Sequence, residues 1–144
     1  MTQSSLAKKV LKLPSTLDQI RKSSDEILKA LGSFSVDETV LFNIKLCIEE
    51  AVRNAIVHGN KKKEGLGIEV SYWIKDNSLN IEVGDEGKGF DVKKLPDPTK
   101  DENLLREHGR GVFLINHLMD EVIYNERGNK VRMIKTLSGG KDGA

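Results

Sequence analysis

Asp85 directly follows a predicted strand and opens the pattern Asp85-x-Gly87-x-Gly89. A carboxylate at the end of a strand can accept a hydrogen bond from a buried donor such as an exocyclic amine. Glycines two residues apart let the backbone turn sharply and approach a ligand closely. A plain glycine-rich turn has the same pattern, whereas a calcium loop is disfavoured because Gly87 and Gly89 stand where oxygen ligands are needed. The segment is therefore a candidate ligand-binding loop.

A second pair of glycines, Gly109 and Gly111, precedes a short apolar helix predicted at residues 112–119. Unpaired amides at a helix N-terminus, with glycines for close approach, can hold a phosphate group. A loop that merely leads into a helix is the alternative, and the chain contains no Walker-type G-x-x-x-x-G-K-[ST] pattern. Between the two glycine pairs, the long charged connection at residues 91–107 is expected to be a lid over a bound ligand.

The third candidate lies on a long helix predicted to end at His58. Its apolar residues fill an arc of roughly 140°, and Glu50, Asn54 and His58 follow at four-residue steps along one edge of that arc. Glu49 is rotated about 100° away from Glu50 and is expected to face solvent. Taken alone, Glu50 and Asn54 are also what an ordinary boundary between a buried and a solvated face would contain.

Capping patterns and hydrophobic periodicity predict the elements that position these residues. In chain order they are a strand at 10–13, a helix from Thr16 to Gly32, a helix from a capping box of Ser35 and Glu38 to His58, strands at 68–74 and 79–83, the helix at 112–119, and strands at 122–124 and 131–137. Because the strands meet in hairpins and do not alternate with crossover helices, this order predicts an α+β two-layer sandwich. Helices would cover one face of a mixed or antiparallel sheet.

The composition of the chain limits its function. A length of 144 residues suits one domain, and 23 basic against 22 acidic residues argue against a dedicated nucleic-acid binder. The hydrophobic share of 38% argues against disorder, and a single cysteine, Cys47, cannot form an internal disulfide. The chain has no apolar stretch of the length that a membrane span needs and no secretory signal, so a cytoplasmic location is expected.

In combination, the three candidate segments resemble the N, G1 and G2 boxes of the Bergerat (GHKL) ATP-binding superfamily. The segments are Glu50 to Gly59, Asp85-x-Gly87-x-Gly89 and Gly109-x-Gly111. Within that superfamily the chain is most similar to the small anti-sigma-factor serine/threonine kinases. The resemblance implies a Bergerat-type ATP-binding kinase domain at residues 8–137, followed by a disordered tail at 138–144.

The same resemblance implies how the chain would bind its cofactors, ATP and Mg²⁺. Asn54 would coordinate the Mg²⁺ that bridges the phosphates, and Asp85 would bind the amino group of adenine. Gly87 and Gly89 would let the backbone pack against the base.

Two further roles are implied by the resemblance. Gly109 and Gly111 would carry the chain around the phosphates. Glu50 would be the general base that accepts the proton of a protein serine hydroxyl, in agreement with the need of phosphoryl transfer for a carboxylate near the attacking oxygen. His58 and Arg106 receive no role, because either could contact nucleotide or partner.

The implied function is that of an ATP- and Mg²⁺-dependent protein-serine kinase that acts as an anti-sigma regulatory factor. Its partners would be a STAS-type anti-anti-sigma protein, which it phosphorylates, a sigma factor, which it sequesters, and a second copy of itself in a homodimer. Neither nucleic acid nor a membrane is expected as a partner. Two alternatives stay open: a nucleotide-responsive binding module without kinase activity, and a kinase whose output is not a sigma factor. The carboxylate of Glu50 favours a kinase.

Overall fold

The structure, a computed structural model, describes residues 5–60, 65–86, 107–126 and 128–137. Its elements are β1 (Leu6–Pro14), α1 (Asp18–Ala30), α2 (Glu38–Asn54), β2 (Gly67–Lys75), β3 (Ser78–Asp85), α3 (Glu107–Leu118), β4 (Glu121–Tyr124) and β5 (Lys130–Thr136). A 3₁₀ turn at Leu31–Ser33 follows α1, and a π-helical turn at Ala55–Gly59 follows α2. In this part of the chain no helix is both long enough and apolar enough to cross a membrane. The predicted tail at 138–144 lies outside the described residues.

The strands form one antiparallel sheet in the order β1-β2-β3-β5-β4. The hairpin between β2 and β3 turns on Asp76 and Asn77, whose φ angles are 50° and 65°. Two successive positive φ angles match the right-handed twist of the flanking strands, and Asp and Asn adopt them at little cost. The predicted α+β sandwich is confirmed, with the antiparallel form of the sheet.

The core lies between α2 and one face of the sheet. As predicted, α2 contributes an apolar stripe, here Ile44, Cys47, Ile48, Ala51 and Val52, all of them buried. Alternate residues of the central strands of the sheet face this stripe; they are Val70, Tyr72, Ile81, Val83 and Met133. Burying one such large side chain stabilises the fold by about 1.5–3 kcal/mol. This packing fixes the end of α2 over the end of β3.

Both ends of α2 differ from the prediction. The helix is capped by Asp37, whose carboxylate accepts a hydrogen bond from the backbone N–H of Thr39 at 3.2 Å, and not by Ser35. Asp is as good a cap as Ser, so two capping residues close together leave the first turn ambiguous. At the other end the α-helical geometry stops at Asn54, and the chain continues to Gly59 as the π-helical turn.

Candidate functional site

Asn54 is the last residue of α2 and is only 8% exposed. The π-helical turn that follows it is closed by the backbone N–H of Asn60, which donates to the carbonyl oxygen of Ala55 at 2.8 Å. A π turn inserts one residue into the helical repeat, and such insertions are frequent at functional sites. Because the π turn begins only after Asn54, Glu50 and Asn54 keep the predicted spacing of one helical turn. His58 lies in the wider turn, where that spacing no longer applies.

Asp85 ends β3 and is held from two sides. On the side of β5, its backbone N–H donates to the carbonyl oxygen of Asn129 at 2.9 Å, and Asn129 Nδ2 donates to the carbonyl oxygen of Asp85 at 3.3 Å. On the side of α2, its carboxylate lies directly against Gly59, where a Cβ atom would overlap Oδ2 and Cγ of Asp85. The Asp85 carboxylate is thus positioned at the end of the π-helical turn.

An open recess lies between the end of α2, the end of β3 and the β4–β5 turn. Its lining combines apolar side chains with a carboxylate, two carboxamides and an ammonium group. The lining residues are Ala51, Asn54, Ala55, Val83, Asp85, Ile115, Tyr124, Gly128, Asn129, Lys130 and Val131. The structure therefore brings together two predicted site residues, Asn54 and Asp85.

Glu50 does not line this recess but lies one helical turn before Asn54 on α2. Its Oε1 atom is 3.9 Å from Nε of Arg53, and its side chain is 26% exposed. The side chain is thus partly exposed next to the recess, whereas its Oε2 atom is buried.

Glu49 is half-buried against α1, which corrects the expectation that it faces solvent. Its Oε2 atom accepts a hydrogen bond of 2.7 Å from Ser24 Oγ, and Ser24 is fully buried. The helical phase placed Glu49 away from the sheet, but α1 packs across that side of α2. The two adjacent glutamates still differ, because Glu49 bonds to Ser24 of α1 and Glu50 lies beside Arg53 of its own helix.

The four predicted glycines have different outcomes. Gly87 and Gly89 lie outside the described residues, as does the predicted lid except for Glu107. Gly109 and Gly111 lie inside the first turns of α3, which begins at Glu107 and not after the second glycine.

Three polar residues around the recess were missed by sequence reasoning. Asn60 is buried and bonded at the end of the π-helical turn, and Asn129 and Lys130 line the recess. The side chain of Asn125 accepts hydrogen bonds from the backbone N–H groups of Asn129 and Lys130, at 3.1 and 3.2 Å. The asparagines at both ends of this glycine-containing turn could have indicated a site in the sequence, although asparagines are also typical of turns without function.

Two titratable groups near the site stay protonated at neutral pH. Burial raises the pKa of the Tyr124 hydroxyl, on the wall of the recess, to about 12. Burial also raises the pKa of the Cys47 thiol, on the core face of α2, to about 12. A thiol of this kind is a poor nucleophile, so Cys47 serves the core and not the chemistry.

Comparison with known proteins agrees with this geometry. The family model described as the histidine kinase-like ATPase domain matches residues 13–135. Serine-protein kinase RsbW from Staphylococcus aureus strains RF122 / ET3-1 and MRSA252 is 40% identical over 101 residues, which cover 65% of this chain and 64% of the relative. The protein of the same name from strain JH9 is 39% identical with the same coverage. The match thus spans less than two thirds of the length of these relatives.

A solved structure shares the fold. The crystal structure of the RsbU and RsbW domains of Rv1364c from Mycobacterium tuberculosis superposes with a TM-score of 0.58 at 16% identity, covering 91% of this chain and 32% of that one. The resemblance predicted from the three motif segments is therefore confirmed at the level of the superfamily, and the names of the relatives agree with its serine-kinase members. This chain belongs to the histidine kinase-like ATPase domain family.

Proposed function

We propose that this chain is an ATP- and Mg²⁺-dependent protein-serine kinase. The observation that carries the proposal is the single recess to which α2 contributes Asn54 and β3 contributes Asp85, with Glu50 one helical turn away. The apolar residues of the lining suit a purine base, and the Asp85 carboxylate suits its exocyclic amine, since a charged acceptor makes a strong hydrogen bond. The printed names of the relatives, serine-protein kinases, support the same activity.

Asn54 fits the part of a Mg²⁺ ligand. Mg²⁺ prefers oxygen donors and is usually held by one or two protein oxygens together with substrate phosphates and water. The carboxamide of Asn54, which lines the recess, offers one such oxygen. When bound, the metal ion would neutralise charge on the phosphates of ATP.

Glu50 would act as the general base. Its carboxylate would accept the proton of a serine hydroxyl of the partner protein while the serine oxygen bonds to the γ-phosphorus of ATP. The bond from that phosphorus to the bridging oxygen breaks, and ADP leaves with the electron pair. Partial exposure of Glu50, beside Arg53, leaves room for a protein substrate.

The partners belong to the same proposal. The chain would phosphorylate a STAS-type anti-anti-sigma protein, sequester a sigma factor as an anti-sigma regulatory factor, act as a homodimer, and do so in the cytoplasm. These partners rest on the resemblance of the motif segments to the anti-sigma-factor serine kinases.

The test is phosphoryl transfer from γ-labelled ATP, with Mg²⁺, to a STAS-domain protein that the chain binds. We expect label on a serine of the partner and none when Mg²⁺ is removed by a chelator. Absence of transfer to every STAS-domain protein that binds would overturn the kinase and favour a nucleotide-responsive binding module.

A further inference from the structure

We propose that Gly59 and Asn60 are positioning residues that set the Asp85 carboxylate at the angle from which it selects an exocyclic amine. This inference rests on the proposed ATP site and deepens it. It assigns the preference for adenine to a contact between the π-helical turn and the end of β3, and not to Asp85 alone.

Asn60 ties three segments of the chain together from a buried position. Its side chain is 1% exposed, and Nδ2 donates to the carbonyl oxygen of Gly67 at 2.9 Å and to Ser15 Oγ at 3.1 Å. Its Oδ1 atom accepts a hydrogen bond from the backbone N–H of Glu86 at 2.9 Å. The peptide group that carries this N–H is the one that follows Asp85, so Asn60 fixes the plane of the chain at the point where β3 ends.

Gly59 supplies the space that the carboxylate occupies. A Cβ atom at this position would overlap Oδ2 and Cγ of Asp85 and would lie 2.8 Å from Oδ1. The backbone of Asp85 cannot move aside, because Asn129 holds its N–H at 2.9 Å and its neighbour Glu86 is held by Asn60. The group that can yield is the carboxylate itself. A methyl group at position 59 is therefore expected to rotate the carboxylate and to leave the sheet in place.

The π-helical turn is what brings both residues to this place. The hydrogen bond from the N–H of Asn60 to the carbonyl oxygen of Ala55 closes the turn, so that the backbone of Gly59 faces Asp85 and the side chain of Asn60 reaches β2 and β3. A rotated carboxylate would lose its hydrogen bond to an amine while the rest of the recess still holds a purine. The structure therefore predicts loss of selectivity and not loss of binding.

The test compares two nucleotides on the full chain with Mg²⁺: ATP and purine riboside 5′-triphosphate, which lacks the amino group. We expect the wild-type protein to bind ATP about 10- to 150-fold more tightly than the analogue, the effect of a hydrogen bond to a charged group. In Gly59→Ala this ratio should fall about tenfold or more, and the affinity for the analogue should stay within about threefold. The matched control is Gly32→Ala, since no atom lies within 4 Å of a Cβ at that position.

Asn60→Ala is the second variant and should lower the same ratio while also lowering the melting temperature. A role in folding alone would weaken both nucleotides equally, and that result, or an unchanged ratio in Gly59→Ala, would overturn the positioning role. If the wild-type protein binds neither nucleotide, the proposed ATP site itself fails. If it binds both equally well, Asp85 has no role in selection, and there is no preference for Gly59 and Asn60 to set.

Discussion

Ser24 of α1 donates a hydrogen bond of 2.7 Å to Oε2 of Glu49 on α2. Because Ser24 is fully buried, this bond satisfies a hydroxyl group that water cannot reach. It also joins the two helices on the side of α2 that faces away from the sheet. The neighbouring carboxylate, Glu50, lies one helical turn before Asn54 on the same helix.

We expect Ser24→Ala to lower the free energy of unfolding by about 1.5–3 kcal/mol, because it removes a hydrogen bond to a charged acceptor. Urea unfolding at neutral pH measures the change. In the Glu49→Gln background the same substitution should lower the free energy of unfolding by only about 0.5–1.5 kcal/mol, since the acceptor is then neutral. Equal costs in the two backgrounds would show that the charge of Glu49 adds nothing to this contact.

The kinase proposal predicts a sharp difference between the adjacent glutamates. Glu50→Gln keeps the size and hydrogen bonding of the side chain but removes its basicity, so transfer of labelled phosphate should fall by about 10²–10⁴-fold while ATP still binds. Glu49→Gln is the matched control, because it keeps an acceptor for Ser24 and should transfer phosphate at nearly the wild-type rate. Wild-type rates in both variants would remove Glu50 from the reaction.

Asp85→Asn should weaken the binding of ATP by about 10- to 150-fold, since the charged acceptor for the amine is lost. Isothermal titration calorimetry with Mg²⁺ measures the affinity. Asp76→Asn is the control: it makes the same chemical change in the β2–β3 turn, at a positive φ angle that Asn tolerates. An unchanged affinity in Asp85→Asn would contradict the assignment of the adenine contact.

The buried thiol of Cys47 and the buried phenol of Tyr72 predict that the free energy of unfolding falls at alkaline pH. Burial raises the pKa of Cys47 from 9.0 to about 12. Burial, followed by the hydrogen bond with Glu26, raises the pKa of Tyr72 from 10.0 to about 12. At a pH between the lower and the higher pKa of either group, the unfolded chain binds fewer protons than the folded one. The free energy of unfolding therefore falls as the pH rises, by up to about 1.4 kcal/mol per pH unit for each group.

Urea unfolding in reducing buffer at pH 8 and pH 10 tests this expectation. Cys47→Ala leaves a small cavity that lowers stability at both pH values, but it should reduce the difference between them, because Cys47 is the group that titrates first. The same difference in wild type and variant would mean that the thiol is ionised in the folded protein at ordinary alkaline pH.

The repeat of apolar residues along α2 was sufficient to predict a helix and its buried face, and the turn residues between β2 and β3 were sufficient to predict a hairpin. Both depend on neighbours a few positions away in the chain. The contact between Ser24 and Glu49 could not be predicted in this way, because it depends on the packing of α1 over α2. Residues that look solvated in the phase of one helix can be covered by another.

The site shows the same division. Asn54 and Asp85 were found because their motif segments resemble those of a known superfamily, and both line the recess. The π-helical turn gives no sign in the sequence, since its stability comes from contacts of Gly59 and Asn60 with strands far along the chain. The predicted roles of Glu50, Asn54 and Asp85 remain predictions, as do those of the four glycines at 87, 89, 109 and 111.

The hydrogen bond of 2.9 Å from the N–H of Leu137 to the carbonyl oxygen of Asn77 fixes where β5 releases the chain. Asn77 lies in the turn before β3, whereas Asp85 ends that strand, so the two are about 25 Å apart at the usual rise of a strand. A fluorophore or surface anchor attached directly after Leu137 would therefore lie near the β2–β3 turn, at the end of the strands that is remote from the recess. In protein immobilised in this way, the recess should stay accessible to both nucleotide and protein ligands.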